Sequence, residues 1–307
     1  MKALVYKSTG SWYIIKNEKG EVYNARIKGK FKIDDITSTN PIAVGDVVEA
    51  DIEEGDESIV ISKIYERTNY ITRQSPHNKH LHHIVAANLD QSILLATLKD
   101  PKTSAGFMDR FLVASEAYHV PTIIVFNKTD LHTIKEKEKF ENLKSIYERI
   151  GYPVYAMSIN QNSGINEVKE LLKDKTTLLS GHSGVGKSSF INSILPENIS
   201  KTQEVSEWSG KGLHTTTFAE MLDLPFGGKI IDTPGMREFA MMDIEPHELS
   251  HYFPEMKALI NNCRFNNCIH IEEPGCAVKI AVEENKISTE RYLSYLNILD
   301  SIDNKKW

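Results

Sequence analysis

Residues 181–188, GHSGVGKS, fit the pattern G-x-x-x-x-G-K-[ST] of a phosphate-binding loop. Glycines let backbone N–H groups close around phosphate oxygens, and the N-terminus of the following helix adds a favourable dipole. We expect Lys187 to reach the β- and γ-phosphates and the Ser188 hydroxyl to bind Mg²⁺. The apolar TTLL before the loop and the helical SSFINSIL after it favour a nucleotide site over a glycine-rich turn. The loop positions predicted to contact nucleotide are Gly181, His182, Ser183, Gly184, Val185, Gly186, Lys187, Ser188 and Ser189.

The segment NKTD, residues 127–130, follows the apolar run PTIIVF and predicts which base is bound. Guanine offers two adjacent donors, which match the two oxygens of the Asp130 carboxylate, whereas adenine would leave that carboxylate unpaired. Sites built on such matched pairs discriminate by a factor of about 10⁴ or more. We expect Asn127 to brace the loop, the Lys128 stem to cover the base, and Thr129 to lie beside it. Together with a phosphate-binding loop, this motif selects GTP over ATP.

The segment MSIN, residues 157–160, ends another apolar run upstream of the phosphate-binding loop. We expect Ser158 and Ile159 to offer backbone donors to the guanine carbonyl. This assignment places a second loop on the base side of the site.

Two segments downstream of the phosphate-binding loop are expected to respond to the γ-phosphate. KIIDTPG puts Asp232 at a strand end, where it suits the Mg²⁺ hydration shell, and Gly235 where its N–H reaches the γ-phosphate. The loop GKGLHTTT, residues 210–217, offers three threonines, of which Thr216 is our choice to complete the Mg²⁺ shell. Order and disorder of such loops with γ-phosphate occupancy is a common switch.

The residue after DTPG is Met236, where many GTPases have a glutamine that orients the attacking water. A thioether cannot hold that water. We therefore expect slow intrinsic hydrolysis, with a partner or another residue such as His214 completing the site.

All three cysteines fall within CRFNNCIHIEEPGC, residues 263–276. Three thiolates and one imidazole make a closed four-coordinate zinc set with no position for substrate, which is typical of structural rather than catalytic zinc. The alternative is a group of unliganded thiols. The predicted ligands are Cys263, Cys268, His270 and Cys276.

Composition places these motifs in a globular chain of 307 residues, 40% hydrophobic and 25% charged, which is enough for two or three domains. No apolar run approaches the roughly 20 residues of a membrane span, and MKALVYKSTG lacks the features of a signal peptide. Three cysteines do not make a disulfide framework. We therefore expect a cytoplasmic protein without a membrane partner. A net charge of −6 excludes a uniformly basic nucleic-acid binder, so RNA contacts must use local patches.

Short strands separated by turn signals predict an antiparallel barrel over residues 1 to about 70. In ARIKGKFKI, basic residues occupy every second position and would form one stripe on an extended strand. The alternative is a solvated outer face. Tyr13 or Tyr23 would either stack on RNA bases or belong to the core. The stripe consists of Arg26, Lys28, Lys30 and Lys32.

The segment TRQSPHNKHLHH, residues 72–83, breaks the strand pattern and is interpreted as a surface linker. Its histidines lack cysteine or acidic companions, so a connection is favoured over a metal site. After it, apolar strands alternate with helices, which predicts an open, mostly parallel sheet with helices on both faces. From about residue 239 the sequence is helical and then rich in cysteine. The four histidines are His77, His80, His82 and His83.

The order NKTD, SIN, phosphate-binding loop, threonine loop, DTPG, together with the barrel and the C-x4-C-x-H-x5-C cluster, closely resembles the small-ribosomal-subunit-dependent GTPase family RsgA, also called YjeQ or YloQ. The resemblance covers nearly the whole chain, including IVAANLDQ and DRFLVASE. It implies an OB-fold barrel over residues 1–70, a circularly permuted α/β P-loop GTPase domain over 71–238 and a helical zinc-binding domain over 239–307. Some family members have a histidine implicated in hydrolysis a few residues past DxPG, where this sequence has Asp243.

The resemblance also implies an activity, cofactors and partners. It implies hydrolysis of GTP to GDP with Mg²⁺, one structural Zn²⁺, and a role in late maturation of the small ribosomal subunit, with the subunit stimulating hydrolysis. The implied partners are that subunit and its 16S rRNA, without DNA, and we expect a monomer. In a permuted chain the segment leaving DTPG runs directly into the cysteine-rich part, so the two are expected to move together.

Three alternatives remain open from the sequence. A permuted GTPase could instead serve the large subunit or another RNA such as a tRNA. A P-loop metabolic kinase would have no reason to carry NKTD. A plain RNA-binding module with a vestigial nucleotide site is disfavoured by the intact Lys187 and Ser188.

Overall fold

A computed structural model describes residues 1–27, 41–52, 59–74, 82–196, 219–233 and 244–303. The strands are β1 Lys2–Ser8, β2 Tyr13–Asn17, β3 Val22–Ile27, β4 Val47–Ile52, β5 Ile59–Ile64, β6 Tyr70–Gln74, β7 His82–Ala87, β8 Gln91–Ala96, β9 Thr122–Phe126, β10 Val154–Ala156, β11 Thr176–Ser180, β12 Glu220–Asp223 and β13 Lys229–Asp232. The helices are α1 Ala105–Ala117, α2 Ile134–Arg149, α3 Ile165–Leu172, α4 Lys187–Ile194, α5 Pro254–Lys257, α6 Ala277–Glu283 and α7 Thr289–Asp303, with 3₁₀ turns at Thr129–Leu131, Leu249–Tyr252 and Ile260–Asn262.

Strands β1 to β5 form a five-stranded, OB-like barrel, as the sequence predicts. β1 pairs with both β2 and β4, and a parallel pairing of β3 with β5 closes the ring. Alternate residues point inward because side chains alternate along a strand, and Val5, Ile15 and Ile61 are fully buried in its core. Tyr13 is also buried, so of its two predicted roles the core position is correct and base stacking is excluded.

The basic stripe falls at the edge of what the structure describes. Arg26 lies on β3, opposite Val60 of β5, whereas Lys28, Lys30 and Lys32 lie outside the described residues. The large exposed aromatic side chain of the described barrel is Trp12, which the sequence analysis did not single out.

The prediction that residues 72–83 form a linker is wrong at both ends of that segment. β6 and β7 pair as antiparallel strands, with Arg73 opposite His83, and residues 75–81 lie outside the described part. The Thr72 hydroxyl is buried and lies 2.8 Å from the hydroxyl of Tyr118, so tertiary contacts favour a strand where the local composition suggested a loop.

The part of the chain that carries the predicted nucleotide-binding motifs has the predicted open sheet. Its strand order is β10-β9-β8-β11-β13-β12, in which neighbours are parallel except for β12 and β13. Helices α1 and α2 pack on one face, and α3 and α4 pack on the other. The barrel was not expected to extend this sheet, yet β1 pairs with β12 through Lys7 and Glu220. No helix among the described residues combines the length and the apolar character needed to cross a bilayer.

The C-terminal helices are held on the domain of the open sheet by a buried ionic cluster. Arg291 of α7, whose side chain is 2% exposed, donates to Asp109 of α1 at 2.6 Å and to Glu255 of α5 at 2.7 Å. The hydroxyl of Tyr147 donates to the same Asp109 oxygen at 2.8 Å, and the guanidinium lies 4.6 Å from the ring centre of Phe253. One cation therefore joins three helices that are distant in sequence.

Arg291→Met should destabilise the protein strongly, because it leaves two buried carboxylates without their cation. We expect the free energy of unfolding to fall by about 3–5 kcal/mol. Lys144→Met is the matched control, since it removes one cation from the exposed helical pair with Glu148 and should cost less than about 0.5 kcal/mol. Urea unfolding of both variants measures the difference, and equal losses would contradict the assigned role of the cluster.

Candidate nucleotide-binding and metal sites

The predicted nucleotide-binding segments meet at one edge of the sheet. NKTD follows the end of β9, MSIN follows β10, the phosphate-binding loop follows β11, and Asp232 ends β13. Because these strands are parallel, their carboxyl ends lie side by side, which is where open α/β sheets bind ligands. The structure therefore gathers on one edge motifs that are separated in the chain.

The phosphate-binding loop has the backbone shape that its glycines allow. Gly181 and Gly186 have φ angles of 148° and 102°, in the region that favours glycine. A Cβ at Gly181 would lie 2.3 Å from the Leu95 carbonyl oxygen, and one at Gly186 would lie 2.4 Å from Nδ2 of Asn127. Both positions thus require glycine for close packing against neighbouring backbone and side chain.

Asn127 connects the NKTD segment at residues 127–130, here called the base-recognition loop, to the phosphate-binding loop. Its side-chain amide donates to the Val185 carbonyl at 2.8 Å, in a buried position. The Oδ1 atom of the same amide is buried without a hydrogen-bond partner among the described residues. Asn127 thus bridges the two loops, and its role in nucleotide binding stays a prediction.

Lys187 begins α4 and is buried at the base of the loop. Its ammonium group donates to the carbonyl oxygens of Gly181 at 2.6 Å and of His182 at 3.1 Å. Burial lowers the pKa of Lys187, and the nearby Asp232 carboxylate opposes that shift. Ser188 follows it on the first helical turn, where it is exposed.

Asp232 is a partly buried carboxyl with one oxygen shielded from solvent, and its charge is only partly balanced. Burial raises its pKa to about 6, with Lys187 acting against the shift and Glu220 adding to it. Its Oδ1 atom has no hydrogen-bond partner in the described part of the chain. A buried oxygen of this kind, beside a helix N-terminus and a lysine, suits the hydration shell of a divalent cation.

On the base side, the structure brings MSIN against NKTD. The Ser158 hydroxyl donates to Asp130 at 2.5 Å and the Asn160 amide donates to its second oxygen at 3.3 Å. The hydrogen bond from Ser158 lowers the pKa of Asp130, so the carboxylate is ionised and available to accept from a base. Thr129 donates to the Met157 carbonyl at 3.1 Å, which ties the two loops together. The backbone N–H of Ser158 donates to the Ser163 carbonyl at 2.9 Å, and its predicted donation to the guanine carbonyl stays a prediction.

Ile159 lies near the phosphate-binding loop, and Lys128 contacts the loop that follows β8. The Ile159 side chain would lie 3.6 Å from a Cβ at Gly186. Lys128 has a left-handed backbone, and its ammonium group donates to the Asp100 carbonyl. The lysine stem therefore extends from NKTD towards the loop that follows β8.

The loop after β8 and the start of α1 belong to the site, although the sequence analysis did not assign them. The Phe107 ring stacks on the His182 ring with a centroid distance of 3.6 Å. Ser104 caps α1 by accepting from the Phe107 N–H at 3.2 Å, and Pro101 lies against the phosphate-binding loop at Gly184. A serine before an apolar helix is a local signal for the start of α1. Nothing in that segment indicated that Phe107 would stack on the distant His182.

Several residues proposed from the sequence cannot be placed. The Mg²⁺ and γ-phosphate positions Thr216 and Gly235, and the residues discussed for hydrolysis, lie outside the described residues. Those residues are His214, Met236 and Asp243.

The predicted zinc ligands form one cluster. The ligand atoms of all four side chains lie within 4.8 Å of one another. His270 Nδ1 lies 3.7 Å from Cys263 Sγ and 3.3 Å from Cys276 Sγ. Tetrahedral zinc with bonds of about 2.0–2.3 Å separates its ligand atoms by roughly 3.5–3.8 Å, so the spacing fits a zinc ion. Burial raises the pKa of the Cys268 thiol to about 12, so a cation is needed to hold it as a thiolate.

The surroundings of the cluster fix its ligands. Tyr292 and Tyr295 of α7 donate to the carbonyls of His270 and Ile269 at 2.6 and 2.7 Å. Cys276 caps α6, where its sulfur accepts from the Lys279 N–H at 3.4 Å. The cluster therefore contacts α7, the same helix that carries Arg291 of the buried ionic cluster.

Comparisons with known proteins agree on one family. The model of the RsgA N-terminal domain matches residues 2–60, and that of the RsgA GTPase matches residues 64–242. Proteins named small ribosomal subunit biogenesis GTPase RsgA are similar to this chain. The one from Flavobacterium psychrophilum is 50% identical over 99% of this chain and 94% of its own length, and the one from Phocaeicola vulgatus is 48% identical over 100% and 99%.

Solved structures give the same result. The crystal structure of YjeQ from Thermotoga maritima superposes with a TM-score of 0.77 at 36% identity and covers 98% of both chains. YloQ, described as a circularly permuted GTPase, has a TM-score of 0.74 at 28% identity and covers 99% of this chain and 95% of its own. The permuted order of motifs is therefore shared with solved relatives.

Asp232→Asn should stabilise the protein in the absence of nucleotide and Mg²⁺. The raised pKa means that protonated Asp232 is favoured in the folded state, so its stabilisation is present below the unfolded value near 3.8 and is lost as pH rises through about 6. At pH 7.5 the folded protein carries a buried carboxylate that asparagine removes, and we expect a melting temperature higher by about 2–4 °C. The gain should shrink at pH 5. A variant that melts below the parent at pH 7.5 would contradict the assigned environment.

Proposed function

The chain belongs to the RsgA GTPase family, and on that premise we propose that this GTP-hydrolysing enzyme acts in the late maturation of the small ribosomal subunit, which stimulates its hydrolysis. Its relatives carry small subunit biogenesis in their names. We propose the cytoplasm as the place of action, the subunit and its 16S rRNA as partners, and a monomer as the active form.

The hydrogen bond from Asn127 to Val185 is the observation that most supports a guanine nucleotide site. It joins the loop that bears the base-recognition carboxylate Asp130 to the loop that would hold the phosphates. A nucleotide must contact both loops at once, and this bond sets their separation. The residues assigned from the sequence to base and phosphates keep those roles in the proposal.

Phosphoryl transfer requires mainly positioning and electrostatic stabilisation from a protein. Lys187 would donate to phosphate oxygens in place of the Gly181 and His182 carbonyls that it now contacts, and the N–H groups at the start of α4 would add to that stabilisation. Mg²⁺, when bound, neutralises charge on the β- and γ-phosphates. Ser188, Thr216 and Asp232 are proposed to hold it or its water, and Gly235 is proposed to contact the γ-phosphate.

Slow basal hydrolysis follows from the residue at position 236. Methionine there cannot orient water, so the subunit is proposed to complete the site. The barrel is proposed to contact rRNA through Arg26, Lys28, Lys30 and Lys32. Attraction between such a stripe and phosphates weakens with salt, by a slope near −0.7 per contact for single strands.

A structural zinc is proposed for Cys263, Cys268, His270 and Cys276. The fit rests on four ligand atoms that lie within 4.8 Å of one another and on a donor set of thiolates and imidazole, which zinc prefers. Zinc would supply rigidity to the turn between the 3₁₀ segment at Ile260–Asn262 and α6.

Purified protein should contain about one zinc per chain, and Cys276→Ser should lose most of it. Because the thiols are buried, loss of the cation should also lower the melting temperature of the C-terminal part by several degrees. His247→Ala is the control, since it removes an exposed histidine of the same region. Metal analysis with thermal unfolding checks this, and a full zinc content in Cys276→Ser would contradict the assigned ligand set.

GTP hydrolysis should rise selectively when separated small subunits are added. We expect at least about a tenfold increase, because positioning of a catalytic water or charge is worth at least that factor. Large subunits and ATP serve as parallel controls, and Lys187→Ala gives the background rate. Equal stimulation by large subunits would favour the alternative role on the large subunit or another RNA. Hydrolysis of ATP at the same rate would contradict guanine selection by Asp130.

A further inference from the structure

Strand β12 is a short element held from both sides. It has four residues, Glu220–Asp223, and pairs with β13 along its whole length. On its other side it pairs with β1 of the barrel at Lys7 and Glu220. A strand this short gains little from its own ladder, so side-chain contacts at its ends decide how firmly it is fixed.

Barrel side chains contact both ends of β12. At its start, Lys7 forms an ion pair with Glu220 at 3.3 Å. At its end, Asp223 accepts from the Tyr6 hydroxyl at 2.8 Å and from the Lys16 ammonium group at 2.6 Å. Lys229 of β13 lies 3.7 Å from the same Asp223 carboxylate. The barrel and the hairpin of β12 and β13 therefore share one set of polar contacts.

The contact at the start of β12 lies in line with the proposed Mg²⁺ position. Lys7 is paired with Glu220, and Glu220 is paired with Asp232 on the next strand. Directly paired residues of antiparallel strands point to the same face, so the three side chains form one row. The row runs from Lys7 of the barrel to Asp232, whose Oδ1 atom has no hydrogen-bond partner among the described residues.

We propose that Lys7, Tyr6 and Lys16 of the barrel are positioning residues for the Mg²⁺·GTP site, because they fix the β12–β13 hairpin that carries Asp232. This inference rests on the proposed role of Asp232. Displacement of the barrel would move the β12–β13 hairpin and with it Asp232.

The joint consists of the contacts of Tyr6, Lys7 and Lys16 with Glu220 and Asp223. The exposure of these contacts sets the size of their effect on the site. The paired side chains are partly exposed, 27% and 31% for Lys7 and Glu220 and 29% and 43% for Lys16 and Asp223. Exposed ion pairs contribute modestly and are screened by salt. The contacts are therefore weak enough to be altered by a phosphate-rich partner that binds the barrel.

The test measures the Mg²⁺ concentration that half-saturates basal GTP hydrolysis by the full chain at pH 8, where Asp232 is ionised. Lys7→Met with Glu220→Gln removes the first pair without changing net charge, and Lys16→Met or Tyr6→Phe weakens the second. We expect the half-saturating Mg²⁺ concentration to rise about two- to fivefold in each, with kcat at saturating Mg²⁺ little changed. Lys16→Arg should restore the parent value.

Lys2→Met is the matched control. Lys2 lies on the same strand β1, but its ammonium group faces the Tyr65 ring within the barrel at 5.4 Å. Its variant should keep the parent Mg²⁺ dependence. For the lysine variants, the ratio of their half-saturating Mg²⁺ concentration to that of the parent should also approach one at about 1 M salt, where the ion pairs are screened.

The outcomes separate this inference from the proposed function. If the joint variants fold and match Lys2→Met, the barrel does not position the site and the inference is wrong. If Asp232→Asn itself keeps the parent Mg²⁺ dependence, the proposed role of Asp232 fails first. A lower melting temperature without a change in Mg²⁺ dependence would identify a purely structural joint and would also overturn the inference.

Discussion

The nucleotide site depends on the buried hydrogen bond from the Asn127 amide to the Val185 carbonyl. The base-recognition loop and the phosphate-binding loop follow different strands, and a ligand of fixed length must meet both. Each loop is anchored on its own, since Val185 is buried among α3 and α4 residues and Asn127 follows the buried β9. The bond between them converts two anchored loops into one cradle. The bond depends only on where the two loops lie in space, so it can form whichever loop comes first in the chain.

Because the bond does not depend on chain order, a permuted order can preserve the site while changing which parts of the chain are attached to it. Helix α1 contacts the phosphate-binding loop where Phe107 stacks on His182. Two residues further along the same helix, Asp109 binds Arg291 of the C-terminal helix α7. The cysteine-rich part is thus fixed to a helix that itself contacts the loop. The expected motion of that part with the segment after DTPG must therefore be compatible with this buried attachment.

Sequence reasoning succeeded where a local pattern determines a local structure. Alternating apolar residues gave the barrel strands, and the glycines at 181 and 186 sit where a Cβ would collide with Leu95 or Asn127. It failed where the partner is distant. The strand positions of Thr72 and His83 are specified by pairing and by Tyr118, and the pairing of Lys7 with Glu220 joins residues 213 apart. Nothing in either segment alone encodes such a contact.

Two of the buried polar atoms that lack hydrogen-bond partners among the described residues belong to the proposed nucleotide site. Asn127 and Asp232 each keep a buried oxygen without a partner among the described residues, and burial disfavours the charge of both Lys187 and Asp232. A core selected for stability alone would pair or remove such groups. A ligand that supplies a guanine, phosphates and a divalent cation would provide partners for them, and its binding free energy would then add to the stability of the fold. A nucleotide bound as proposed would relieve this less favourable state, and its occupancy would then be coupled to the stability of the β12–β13 hairpin, which pairs with the barrel.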